Sequence, residues 1–248
     1  MKDRRTAAVR KLENLMRAGV THFPKPKRTR PPAPVDTELG TPAEASGRSG
    51  SQRLVDSRAR ALSALASRVA ACTRCEELAR SRTQTVFGAG NPDARLVFMG
   101  EAPGYEEDQQ GIPFVGRAGQ LLTDIITKGM GLRREQVYIL NTIKCRPPGN
   151  RTPLPHEVAN CREYLEAQLA IIQPEFLCCL GAVAAQSLLG TTAPLGRLRG
   201  RFHQRGAIQV LCTYHPAYLL RYPEAKRDAW EDIQLLLKQM GLSIPGAR

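Results

Sequence analysis

The chain has 248 residues, 42% of them apolar, with 36 Lys+Arg against 23 Asp+Glu and a net charge of +13. That length and composition suit one packed domain with a tail. No run approaches the roughly 18 uninterrupted apolar residues of a membrane helix, so no span is expected.

The basic balance favours a polyanionic partner, most simply nucleic acid. Residues 1–20 mix charged residues through Leu and Ala, so no secretory h-region is expected there. Seven cysteines in a reducing, cytoplasmic setting argue against disulfides, and metal or cluster ligation becomes the first question.

In chain order, residues 1–60 carry 14 Lys+Arg against 6 Asp+Glu. A short basic helix using Val9, Leu12, Leu15 and Met16 is conceivable over 4–18. From Pro24 to Gly50 there is no aromatic residue, and the only large aliphatics are Val35 and Leu39. Such a segment cannot bury enough apolar surface to offset its ordering entropy. Residues 1–56 are therefore expected to form a basic, Pro-rich, largely disordered extension, and residues 57–248 the folded domain.

Leu62, Leu65 and Val69 then repeat at helical spacing up to Cys72. Strands are expected at 95–100, 137–142, 176–181 and 208–214. Helices are expected at 118–130, 156–172 behind Pro155, 182–189 and 226–240. This alternation predicts an α/β three-layer sandwich around a central four-stranded parallel sheet. Right-handed crossovers put the strand C-termini on one edge, where open α/β sheets bind ligands. Glu101, Ala102, Asn141, Lys144 and His215 follow the strands and are expected there.

Four spaced cysteines, Cys72, Cys75, Cys145 and Cys161, suit zinc or an iron–sulfur cluster, and spacing alone leaves cluster, zinc and no metal open. Cys178, Cys179 and Cys212 sit in apolar strands and are expected in the core. GEAPG at 100–104 is neither GxGxxG nor a P-loop, so a nucleotide cofactor is weakly supported. Gly116 opens a helix, as a phosphate site or a plain turn.

Phe114 in a loop reads as packing or as a stacking face for a planar base. Asn141 offers a donor and an acceptor in one plane, fitting a pyrimidine edge, or else caps a turn. His215 is a structural hydrogen-bonder or an acid–base group. Tyr218, Leu219 and Leu220 beside Arg221 either wedge into a base stack or begin a packed helix. Arg197, Arg199, Arg201 and Arg205, with Lys144, Arg146 and Arg151, are candidate phosphate contacts.

Taken together, GEAPG at 100–104, EEDQQGIPFVGRAGQLL at 106–122, NTIKCRPPGNR at 141–151, the four spaced cysteines and HPAYLL at 215–220 resemble the family-4 uracil-DNA glycosylases. The resemblance spans roughly residues 65–235 and leaves out the first 60. It implies a uracil-DNA glycosylase-like fold, a 4Fe–4S cluster on Cys72, Cys75, Cys145 and Cys161, and removal of uracil from single- or double-stranded DNA in base excision repair. It places Phe114 under the uracil ring, Asn141 on its polar edge and His215 beside O2.

A related binder that becomes covalently attached to DNA carries an extra basic loop after the second strand. Cys145–Asn150 runs on without that insertion, which argues against trapping. On this reading Leu219, with Tyr218, fills the gap left by the flipped base. A backbone amide near Ala102 joins His215 on O2. Glu101, Glu107 or Asn150 handles the water, or Glu107 crowds C5 and excludes thymine. The cluster is expected to be structural and the protein monomeric. The rival readings are an iron–sulfur redox or radical protein and a non-catalytic DNA binder.

Overall fold

The structure is a computed structural model that describes residues 50–245, with side chains from residue 53 onward. Most of the expected extension, including the possible helix over 4–18, lies outside the described residues. Helix α1 (Gly50–Ala70) begins ahead of the expected onset of order at Ser57. A turn carrying Cys72 and Cys75 leads to α2 (Glu76–Ser81).

The sheet has six strands rather than four, in the order β1-β3-β2-β4-β6-β5. The four inner ones are those expected: β2 (Leu96–Gly100), β3 (Tyr138–Asn141), β4 (Phe176–Leu180) and β6 (Ile208–Thr213). They pair in parallel. The two additions are antiparallel edges, β1 (Ala89–Gly90) on β3 and β5 (Phe202–Arg205) on β6. Between them come α3 (Tyr105–Gln110), α4 (Arg117–Asp124), α5 (Pro155–Ile172), α6 (Ala182–Leu189) and α7 (Leu195–Leu198). Helices α8 (Pro216–Arg221) and α9 (Lys226–Gln239) close the chain.

The inner strands read as continuous apolar runs because both faces are covered. Alternate residues divide between two cores. Val97, Met99, Leu140, Leu177, Cys179 and Cys212 face Leu62 of α1 and Leu165, Leu169 and Ile172 of α5. Leu96, Phe98, Ile139, Cys178 and Leu211 face Leu122 of α4 and Ile233, Leu236 and Leu237 of α9. Cys178, Cys179 and Cys212 are fully buried, as expected. No helix among the described residues is long and apolar enough to cross a membrane.

Two local departures bear on the site. The helix expected over 118–130 is α4 followed by a π-helical turn, Ile125–Gly129, in which the Met130 amide donates to the Ile125 carbonyl. The arginine-rich stretch Gly196–Gly206 is not a loop throughout, because it takes in most of α7 and edge strand β5, with Arg197 and Arg201 exposed. Arg199 is tied to the main-chain carbonyl of Asp228 and, at 3.0 Å, to the Asp232 carboxylate on α9. Arg205 pairs with Glu166.

Thr213, at the end of β6, donates to the same Asp232 carboxylate at 2.7 Å. This tie fixes α9 to β6 two residues before His215. Asp232 is 1% exposed, and burial raises its pKa while Thr213 and Arg199 oppose the rise. Removing one partner of a buried pair costs about 3–5 kcal/mol. Arg199→Ala is expected to lower the unfolding free energy by about that amount in denaturant titration, and an unchanged midpoint would refute the tie.

Candidate active site

The C-terminal ends of the inner strands open into a cleft of about 680 Å³, lined among others by Glu101, Ala102, Glu107, Phe114, Asn141, Asn150, His215, Tyr218 and Leu220. Gly100 and Asn141 lie opposite each other in the last register of β2 and β3. A side chain at Gly100 would have its Cβ 2.4 Å from Asn141 Oδ1 and 2.6 Å from the Phe114 ring. The missing Cβ therefore lets the carboxamide and the ring converge at one point.

Asn141 is 1% exposed. Its Oδ1 is buried with no hydrogen-bond partner among the described residues. An unpaired buried acceptor carries a desolvation cost of about 1–3 kcal/mol, and of the three such atoms among the described residues only this one borders the cleft. Its main-chain carbonyl accepts from Lys144 Nζ at 2.7 Å. Lys144 is fully buried, which corrects its expected role as a phosphate contact.

Phe114 sits in left-handed backbone at φ +55°. That conformation in a non-glycine residue costs of order 1–3 kcal/mol and persists only where the surroundings enforce it. Here they do, because Gly119 leaves no room behind Phe114, where a Cβ would lie 2.0 Å from its carbonyl. Arg134 also binds the carbonyls of Pro113 and Phe114. The Phe114 ring lies 5.6 Å from the His215 ring at 33°.

His215 caps α8, with Nδ1 accepting from the Ala217 amide at 3.1 Å. An accepting Nδ1 leaves Nε2 as the protonated nitrogen of a neutral ring. Burial lowers the pKa to about 4, assisted by the charge of Arg221 and opposed by Glu107. The ring is thus a neutral donor at physiological pH.

The two carboxylates differ. Glu107 accepts the Val115 and Gly116 amides on one oxygen at 2.8 and 2.9 Å, and the Gly104 amide on the other at 3.1 Å. It braces two loops while lining the cleft. Glu101 keeps its carboxylate toward the cleft, its pKa raised by burial and opposed by the Thr152 hydroxyl. Asn150 has φ +55° and its Oδ1 accepts from Arg146. The Ala102 side chain packs on Ile143 and the cysteine cluster below.

The wedge expectation for Leu219 does not fit its burial. Leu219 is 2% exposed and points into the core, whereas Leu220 is 39% exposed and lines the cleft. Tyr218 lines the cleft too, stacked on Tyr214 at 5.0 Å and tilted against Tyr222 at 4.6 Å. Arg151 is held by Glu157 and Glu77 and is not a free phosphate contact. Arg134 was not singled out from the sequence, since nothing local marks an arginine ahead of a strand.

Beside the cleft, Cys75 from the turn, Cys145 from the loop after β3 and Cys161 on α5 pack with Leu78, Ile143 and Val158, while Cys72 packs on the adjoining cluster of Leu65, Val69 and Tyr164. The Cys145 thiol senses the charges of Cys72 and Cys75, and Cys161 those of Cys145 and Cys75. Burial raises both pKa values, that of Cys161 to about 11. Arg82 donates to Cys145 Sγ at 3.0 Å and Asn160 to Cys75 Sγ at 3.4 Å. Among the described residues no three metal-ligating side chains close in tightly enough for one ion. Four thiols drawn from three segments, with donors aimed at them, fit a larger anionic group.

Residues 87–234 match the model of the uracil DNA glycosylase superfamily. The type-4 uracil-DNA glycosylase of Thermotoga maritima is 48% identical over 171 residues, 67% of this chain and 88% of that protein. That of Archaeoglobus fulgidus is 40% identical over 185 residues, 71% of this chain and 92% of that protein. A type-5 uracil-DNA glycosylase of Thermus thermophilus is 29% identical over 149 residues, 52% and 68% of the two chains. By the superfamily match and by its likeness to these relatives, the chain belongs to the uracil DNA glycosylase superfamily and, within it, to the type-4 uracil-DNA glycosylases.

Proposed function

We propose that the chain removes uracil from DNA by flipping the nucleotide into the cleft and hydrolysing its N-glycosidic bond, the first step of base excision repair. The observation that carries this reading is the unpartnered Asn141 Oδ1 in the cleft. It suits the N3–H of uracil, while the amide end of the same group suits O4. Cytosine reverses both positions and leaves the carboxamide unsatisfied, which rejects it strongly. The substrate is uracil-containing DNA, single- or double-stranded, and one copy of the chain is the working unit, in the cytoplasm. The relatives above do not favour a non-catalytic role.

Extrusion costs a few kcal/mol, and Leu220 with Tyr218 fills the vacated stack. Phe114 stacks on the base. The C1′–N1 bond breaks with its electron pair passing to the uracil ring and O2. His215 Nε2–H donates to O2 as that charge grows, and a neutral donor does so without protonating the leaving group. Glu101 orients the water that attacks C1′ and takes its proton. Glu101 gives that proton up through solvent to the uracil anion, so uracil and an abasic site are the products.

Cys72, Cys75, Cys145 and Cys161 would hold a 4Fe–4S cluster, which when bound supplies a cross-link between the turn after α1, the loop after β3 and α5. No step of base excision runs through it.

Asn141→Ala is expected to slow single-turnover uracil release at least a hundredfold, about the effect of losing one such donor or acceptor, while affinity for abasic DNA is kept. An unchanged rate would remove Asn141 from recognition. The His215 ring is expected neutral, with hydrogen on Nε2, in nitrogen NMR at pH 6. Its pKa near 4 lies below the ordinary 6.5. Between those values the unfolded chain binds a proton that the folded chain refuses, so stability falls as pH drops through that window. His215→Gln is expected to flatten this slope, and a protonated ring at pH 6 would end the neutral-donor role. Cys161→Ser is expected to lose absorbance near 400 nm together with folded protein, and a colourless but fully stable variant would refute the cross-link.

A further inference from the structure

One charged side chain outside the cleft lining has no part in the chemistry above. Arg134 lies in the 3-10 turn Arg134–Gln136, at the far end of β3 from Asn141. Its guanidinium reaches away from its own strand. One nitrogen donates to Thr123 Oγ1 at 2.8 Å, and the other to the carbonyls of Pro113 at 2.7 Å and Phe114 at 3.1 Å. Thr123 passes the contact on by donating to the Gly119 carbonyl at 3.0 Å. Gly119 is the residue whose missing Cβ lets α4 press against the Phe114 main chain.

The helix widens into its π-turn directly after this point, and the Thr127 hydroxyl donates to the Thr123 carbonyl at 2.7 Å. Every strong contact of Arg134 is therefore with the segment that carries Phe114 or with the helix that backs it. Phe114 is one of three non-glycine residues with positive φ among the described residues. The rigid fork of an arginine reaches two carbonyls and a hydroxyl at once, which the point charge of a lysine cannot reproduce.

We infer that Arg134, acting through Thr123 and the Pro113 and Phe114 carbonyls, is a positioning residue that holds the Phe114 ring in place as the stacking platform for the flipped base. This rests on the uracil reading above. Burial lowers the Arg134 pKa, opposed by the charges of Glu135 and Glu107, so the guanidinium is desolvated where a solvent-facing phosphate contact would not be. A platform displaced by even about 1 Å costs up to about a hundredfold in rate.

The test compares Arg134→Met, Arg134→Lys, Phe114→Ala and the double variant Arg134→Met/Phe114→Ala. Three readouts are taken on a single-uracil oligonucleotide system: single-turnover release, inhibition by free uracil, and affinity for DNA carrying a tetrahydrofuran abasic analogue. Arg134→Met is expected to lose tenfold or more in release and to weaken inhibition by free uracil by a similar factor, with abasic-DNA affinity within twofold of the parent. Arg134→Lys recovers part of the loss. In the Phe114→Ala background the Arg134→Met change adds less than twofold, because the platform is already gone.

Full release by Arg134→Met, an equal loss in the Phe114→Ala background, or a parallel loss of abasic-DNA affinity would each overturn the inference. Should Arg134→Met fail to fold, Thr123→Val removes one arm of the same network and is read identically, with a smaller loss expected. Absence of uracil release by the unaltered protein would overturn the parent reading, and this one with it, and is distinguishable from an active parent with a silent Arg134 variant.

Discussion

Burying both faces of the four inner strands is the constraint from which the rest of this molecule follows. A strand with Val97 and Met99 on one side and Leu96 and Phe98 on the other must be covered by helices on both sides. Parallel pairing is the arrangement in which the connecting helices do so, with right-handed crossovers. All four strands then end at the same edge, and the backbone leaves the sheet where its polar groups lose their ladder partners. Gly100, Asn141, Gly181 and His215 meet there. Gly181, in left-handed backbone at φ +93°, lies so close that a Cβ on it would be 3.1 Å from the His215 Cβ.

Around this edge, charge is used to shape main chain rather than to touch ligand. Lys144 binds the carbonyl of Asn141, Glu107 collects three amides from two loops, and Arg134 binds two consecutive carbonyls. The groups left facing the cleft are an acceptor without a partner, a neutral imidazole and a carboxylate held above its ordinary pKa. In the proposed reaction the imidazole is the donor, held in place before negative charge develops on the leaving group.

What was legible in the sequence follows from how local each signal is. The inner strands announced themselves as apolar runs, and Pro155 marked the start of α5. Edge strand β5 (FHQR) is polar and reads as a loop, and Ala89–Gly90 is too short to show any period, so both appear only through their pairing with β6 and β3. On a six-residue helix adjacent positions differ by about 100°, and HPAYLL does not say which leucine faces out; Leu219 is buried and Leu220 exposed. Lys144 resembled a surface cation until the fold closed over it. The convergence of Asn141 and His215 on one edge was readable from the strand order, and the place of Phe114 from the resemblance, whereas the bracing roles of Glu107 and Arg134 depend on loops folding back from 8 to 21 residues away.

The two edge strands have a consequence for how the molecule behaves in company. A sheet edge recruits a foreign strand through a row of consecutive unpaired N–H and C=O groups. Here one edge is two residues long and the other four. At the longer edge, His203 is occupied with the Leu198 carbonyl, Gln204 with the Gly206 carbonyl and Arg205 with Glu166. A core of continuous Val, Leu, Ile and Phe runs would be a strong template for cross-β association if it reached the outside of the sheet. Short margins keep that template internal and leave a second copy few consecutive backbone groups to pair with.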